Sequence, residues 1–237
     1  MINPVFASFP FYILSIIYRP LLYIGFIVQS AYLVYRGIDL GRLPLVGPHD
    51  TLSFLSASIA AFSGAFYLPM KEKKDFFVII GVLCAIFTFF SVVSAPHNQP
   101  LPPVLKTYWF EFHVILSFLS YALFGIGAVL GAVYIRASDA AIERLQYKSI
   151  LVGYCLFSLS MIFGGVWAYL AWGTYWLWTP KELWTTILWL LYSLYLHTRL
   201  MGGLSGRPSA VFGIVGFFIV LFTYLGVGLL MKSSHGF

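Results

Sequence analysis

Apolar residues run through this chain in long blocks, separated by short stretches rich in proline, lysine and arginine. A helix rises ~1.5 Å per residue, so roughly 20 apolar residues cross a hydrocarbon core ~30 Å thick. Seven blocks predict seven spanning helices, at about 10–35, 52–70, 76–94, 113–135, 149–171, 183–200 and 209–231. The first block is long and contains Arg19-Pro20, which predicts a short interfacial segment ahead of the span proper. Basic residues set the orientation. Lys71, Lys73 and Lys74, then Arg136, Arg144 and Lys148, then Arg199 and Arg207 fall in alternate connections, so all can be cytoplasmic together. That leaves 36–51, 95–112, 172–182 and the C-terminal tail outside, with Arg36, Arg42, Lys106, Lys181 and Lys232. With no long linker, charge block or internal repeat, the pattern predicts one all-α domain over 1–237, a polytopic transmembrane helix bundle.

Composition agrees. Sixty per cent of the 237 residues are hydrophobic and 9% are charged, against about a quarter charged in soluble domains. Such a chain cannot cover a water-facing surface, so the lipid bilayer is its main solvent. The net charge of +6 reads as a topology signal and not as a nucleic-acid footprint. Cys84 and Cys155 lie inside apolar blocks and read as small core residues. There is no C-x-x-C-H, so the chain attaches no heme to itself, and no cleavable signal peptide is apparent at its start.

Residues 172–189 read WGTYWLWTPKELWTTILW. Five of the chain's seven tryptophans fall here (Trp172, Trp176, Trp178, Trp184, Trp189), with Tyr175. An interfacial aromatic belt explains one or two such residues per helix end, not this density. Thr179-Pro180-Lys181-Glu182 reads as a helix start, with Thr179 at the N-cap, Pro180 at N1 and Glu182 at N3. An aromatic shelf leading into a helix suits a large, planar, apolar ligand.

Five histidines complete the inventory. His49 and His97 fall in outer loops and read as solvated. His113 opens a span at its outer end, and His235 follows the last span, so both sit at the depth of the shelf. Two imidazoles at one depth provide two axial ligands for a heme iron. His197 follows Glu182 by fifteen residues, about 22 Å deeper along a helix. An ionisable residue there is a functional candidate, with snorkelling beside Arg199 as the plainer alternative.

The run GGVWAYLAWGTYWLWTPKELWTTILWLLYSLYLHTR resembles the WWD domain and following helix of heme-handling proteins. The likeness is to the CcsA (ResC) type of System II cytochrome c biogenesis. PLPPVLKTYWFEFHVILSFLSYALFG and LGVGLLMKSSHGF resemble the segments that carry that family's two external histidines. The resemblance implies a WWD-like segment over 167–189 and heme b as the cofactor. His113 and His235 would be external axial ligands. Trp172, Gly173, Tyr175, Trp176, Trp178, Pro180, Lys181, Glu182 and Trp184 would form the shelf, and His197 would be the transmembrane histidine that meets heme from the cytoplasm. It further implies heme export for attachment to apocytochrome c bearing C-x-x-C-H, as a component of a cytochrome c heme lyase with a CcsB (ResB) type membrane partner. The membrane would be a cytoplasmic (inner) or thylakoid-type one, with the heme site facing outward. No catalytic residue is singled out, and Lys181 or Arg42 are candidates to meet a heme propionate. Two departures stand out: Thr179 replaces the family's Asp, and Tyr169 and Leu170 replace an Asn-Glu pair. Losing polar groups while keeping histidines favours heme binding over the full synthase reaction. The alternative is a non-catalytic membrane heme b subunit of an electron-transfer complex. A transporter or quinone-binding protein with an aromatic belt is a further reading.

Overall fold

A computed structural model describes residues 4–227. Among the described residues the regular structure is helical. Six helical stretches among the described residues are long and apolar enough to cross a membrane: Pro20–Leu40, Pro48–Met70, Lys74–Val93, Tyr108–Ala137, Ala140–Trp172 and Arg207–Gly226. The seventh expected span is the helix Pro180–Leu200. It has the length but is less apolar, because threonine, tyrosine and tryptophan replace aliphatic residues along it. The helices group into two compact units, Met1–Pro100 and Leu101–Phe237.

The first unit holds α1 (Phe9–Leu14), α2 (Pro20–Leu40), α3 (Pro48–Ser63), the single turn α4 (Tyr67–Met70) and α5 (Lys74–Val93). The chain breaks after α1 and restarts with Pro20 at the first position of α2, as Arg19-Pro20 predicted. The interior is polar for a membrane helix cluster, yet well paired. The Gln29 side-chain amide donates to Ser53 Oγ (3.1 Å) and Thr88 Oγ1 (3.3 Å), and its oxygen accepts from the Tyr12 hydroxyl. Hydrogen bonds of this kind tie membrane helices together where lipid offers no hydrophobic drive.

Two expectations fail in this unit. Arg36 was placed in an outer loop, but α2 continues to Leu40 and Arg36 is buried in its last turns. Its guanidinium makes a two-pronged ion pair with the fully buried carboxylate of Asp50. His49 was read as solvated, but it is fully buried in the first turn of α3. Its Nδ1 lies 2.8 Å from the Ser91 carbonyl, an acceptor only, so Nδ1 carries the proton. Its Nε2 therefore accepts from the Tyr32 hydroxyl at 2.7 Å. Both ring nitrogens serve helix packing.

The second unit holds α6 (Tyr108–Ala137), α7 (Ala140–Trp172), α8 (Pro180–Leu200) and α9 (Arg207–Leu221), the last continuing into a π-helical turn, Phe222–Gly226. The helices alternate in direction. α6 pairs with α7 from His113–Ser160 at one end to Gly131–Gln146 toward the other. α8 pairs with α7 through Tyr154–Ser193 and Trp189–Ser158, and with α9 through Trp184–Phe222 and Tyr195–Phe212. Small residues allow this closeness: a Cβ on Gly131 would lie 2.8 Å from the Ala210 carbonyl oxygen.

α6 and α7 are 30 and 33 residues long, ~45–50 Å at the helical rise, so they outrun a ~30 Å core. Arg136, Arg144 and Lys148, expected in a connecting loop, therefore lie on helix ends. Only Ser138 (left-handed, φ 51°) and Asp139 join the two helices, and Asp139 caps α7 by accepting from the Ala141 amide at 2.9 Å. Cys84 is buried as expected, but Cys155 lies on an exposed face of α7. Lipid-facing surface is as apolar as helix-facing surface, so hydropathy does not separate the two.

Candidate functional site

The aromatic segment forms the connection between α7 and α8. α7 ends at Gly173, which adopts the left-handed C-cap conformation (φ 76°). α8 begins as predicted, with Pro180 at its first position and a complete capping box. The Glu182 amide donates to Thr179 Oγ1 at 3.3 Å, and the Glu182 carboxylate accepts from the amides of Leu177 (2.9 Å) and Thr179 (3.0 Å). Those two amides flank Trp178, which sits at φ +55°. A bulky residue there is strained by about 1–3 kcal/mol, and the Glu182 carboxylate bridges its two neighbours. Glu182 thus braces the loop from beneath while Trp178 projects outward, 66% exposed. Replacing Thr179 by valine removes the capping oxygen and is expected to cost about 1 kcal/mol. Thr179→Asp keeps a capping acceptor and is expected to match the wild type. Thermal unfolding of the purified variants in detergent checks both.

Around this brace, aromatic rings pack in layers. Tyr175 stacks on Tyr169 of α7, centroids 4.6 Å apart and 13° from parallel. Trp172 meets Trp167 edge-on at 6.3 Å, and Trp184 meets Phe222 edge-on at 4.6 Å. Trp167 is buried and anchors the segment before α6: its indole N–H donates to the Val104 carbonyl (2.8 Å), and it packs with Leu105 and Ala168. Trp172 and Tyr175 remain 42% and 60% exposed. The shelf is therefore a fixed aromatic surface that the described residues do not cover. Trp176 is half-buried beside it, and its carbonyl accepts from the Thr174 hydroxyl at 3.2 Å. Lys181 is half-buried in the first turn of α8.

His113 stands in the second turn of α6, after an N-cap in which Thr107 Oγ1 accepts from the Phe110 amide at 3.2 Å. The imidazole packs against α7. Nδ1 lies 2.9 Å from the Ser160 carbonyl and 3.1 Å from the Ser160 hydroxyl. The hydroxyls of Ser160 and Ser117 both reach the His113 carbonyl, at 2.9 and 2.8 Å, and lie 2.6 Å from each other. The contact point is Gly164. Its neighbour Gly165 faces the aromatic loop, where a Cβ would lie 3.6 Å from the Tyr175 carbonyl oxygen. One turn of α7 therefore joins His113 to the shelf.

His197 lies at the far end of the same unit, exposed in the last turn of α8. Beside it, Arg199 pairs with Glu143 of α7 and donates to the Leu204 carbonyl at 3.0 Å, and Glu143 accepts from the Gly206 amide at 2.7 Å. That end of α8 is thus pinned to α7. His235 lies outside the described residues. The structure brings together His113, Trp172, Gly173, Tyr175, Trp176, Trp178, Lys181, Glu182 and Trp184 on adjoining elements, and leaves His197 apart. Ser117, Ser160 and Gly164 went unnoticed in the sequence. The serine at i+4 from His113 and the Gly164-Gly165 pair were the available signals.

Residues 46–235 match the family described as Cytochrome C assembly protein. The chain is 32% identical to the cytochrome c biogenesis protein CcsA of Prochlorococcus marinus (strain MIT 9515), covering 86% of this chain and 78% of that one. It is 30% identical to the CcsA of Mesostigma viride (92% and 84% covered) and 32% identical to that of Guillardia theta (85% and 79%).

Proposed function

Because the chain belongs to the cytochrome c assembly protein family, we propose that it carries heme to the outer membrane face and presents it for covalent attachment to apocytochrome c. Heme b is the substrate. The observation that carries this reading is that α7 holds both a histidine, packed at Gly164, and an exposed aromatic shelf, stacked on Tyr169. His113 and His235 would hold the iron through their imidazoles. Trp172, Gly173, Tyr175, Trp176, Trp178 and Trp184 lie against the porphyrin, and Glu182 keeps Trp178 presented. Lys181, half-buried at the start of α8 beside the shelf, pairs with a propionate. His197 meets heme at the cytoplasmic end. A flat aromatic face buries a porphyrin plane while leaving its vinyl edge open to a second protein. The thiols of a C-x-x-C-H segment then add across the vinyl groups, each sulfur bonding one vinyl carbon and a proton going to the other. This chain supplies position and ligation.

α9 runs back toward the end that carries the shelf, with Phe222 on Trp184. A ResB-type membrane partner completes the synthase.

The test is reconstitution. The chain is expressed with a ResB-type partner and a C-x-x-C-H reporter, in a host lacking cytochrome c maturation. A heme-stained reporter that survives denaturing electrophoresis is the expected result. Purified protein that holds heme but yields no covalent product would overturn presentation for attachment and leave an electron-transfer subunit.

A further inference from the structure

We propose that Gly164 and Ser160 of α7 are positioning residues for His113, fixing its imidazole so that Nε2 is the nitrogen offered to iron. The inference rests on the reading that His113 ligates heme. It assigns the tautomer, the donor atom and the residues that enforce them.

The Ser160 carbonyl lies 2.9 Å from His113 Nδ1. A carbonyl oxygen accepts and never donates, so Nδ1 bears the proton. A protonated ring nitrogen has no lone pair for a metal, and ligation falls to Nε2. The Nδ1–H···O=C bond also fixes the ring's rotation and increases its basicity, the usual arrangement behind a ligating histidine. The fully buried Ser160 hydroxyl adds a contact 3.1 Å from the same nitrogen and ties into Ser117 and the His113 carbonyl. A more basic imidazole stabilises ferric over ferrous iron, so this support lowers the midpoint potential of the bound heme.

Gly164 makes the approach possible. A Cβ there would lie 2.6 Å from His113 Nδ1, 2.9 Å from Cε1 and 3.2 Å from Cγ, along one edge of the ring. Real Cβ contacts essentially never fall below 3.0 Å. A ring held by the Ser160 carbonyl cannot swing aside without breaking that bond. Alanine at 164 therefore lifts the imidazole off α7. Gly165 provides a matched control, since among the described residues a Cβ there meets only the Tyr175 carbonyl oxygen, at an ordinary 3.6 Å.

The experiment compares wild type, Gly164→Ala, Gly165→Ala, Ser160→Ala and His113→Ala, purified from heme-replete membranes. Heme per protein, low-spin absorbance and midpoint potential are measured for each. Gly164→Ala is expected to retain heme about 10- to 100-fold more weakly. Its residual low-spin signal titrates at a higher potential, and added imidazole restores the low-spin spectrum. Gly165→Ala behaves as wild type. Ser160→Ala keeps its heme and shifts the potential upward by a smaller step. A folded Gly164→Ala protein with wild-type retention and potential overturns the proposal, as does one whose spectrum imidazole leaves unchanged. If Gly164→Ala does not fold, Ser160→Ala decides, and an unshifted potential overturns it. His113→Ala separates this inference from the reading beneath it. Loss of the low-spin signal there upholds His113 as ligand whatever Gly164 shows, whereas a retained signal removes that reading itself.

Discussion

Replacing His113 by glycine is expected to lower covalent cytochrome c formation by more than ~100-fold, the upper end of what losing a supporting partner costs. The loss exceeds that because, on the proposed reading, an iron ligand itself disappears. The imidazole is half-buried against Gly164 and Ser160, so its removal leaves a slot of imidazole's shape, walled by α7 and backed by an acceptor carbonyl. Imidazole added to the growth medium is therefore expected to restore part of the product. Heme-stained reporter with and without imidazole checks both halves. Equal product from the glycine variant without imidazole would place the ligand elsewhere.

Asp50→Ala is expected to destabilise the first unit by about 3–5 kcal/mol. The cause is not the loss of an attraction alone. Arg36 is buried, and Asp50 takes two of its donors. The remaining contacts are with the Asn98 side chain at 3.2 Å and the His97 carbonyl at 3.4 Å, which accept hydrogen bonds but carry no net charge. Removing the carboxylate strands a charge out of water. The double variant Arg36→Met/Asp50→Leu removes both charges and is expected to recover most of the loss. Thermal unfolding of the single and double variants in detergent measures the coupling. Equal losses in both would show that the pair's hydrogen bonds, and not the stranded charge, carry the energy.

The contrast between these two sites shows what was legible in the chain. Local chemistry was legible. Pro20 restarting a helix and Thr179-Pro180-Lys181-Glu182 opening another depend on neighbours within four residues, and both stand where the sequence put them. Pairing across the fold was not. Ser160 meets His113 across 47 residues, and nothing local marks that serine among the others of α7. Arg36 and His49 were read as loop residues because polarity near a helix end ordinarily means water. Here α2 runs past the arginine, and partners from α3 and α5 bury both side chains. Orientation toward lipid or toward a helix was also hidden, as Cys155 shows, because both surroundings are apolar. The shelf was legible as composition, but its brace was not: the sequence shows a capping box, and only the fold shows the Glu182 carboxylate reaching past it to the Leu177 amide.

The polar positions that differ from the family pattern also gain physical content. Thr179 caps α8 as an aspartate would, so that change leaves the loop's architecture intact. Tyr169 adds a ring under Tyr175, which extends the aromatic surface where the family pattern has an amide. Both changes leave the exposed aromatic surface in place.

The most direct test of the central claim is the heme content of the purified full-length chain, measured by pyridine hemochrome after expression in heme-replete membranes. The account predicts b-type heme, released by acid solvent and so not covalently attached, at close to one per chain or above. Protein that purifies folded and free of heme under those conditions would contradict it.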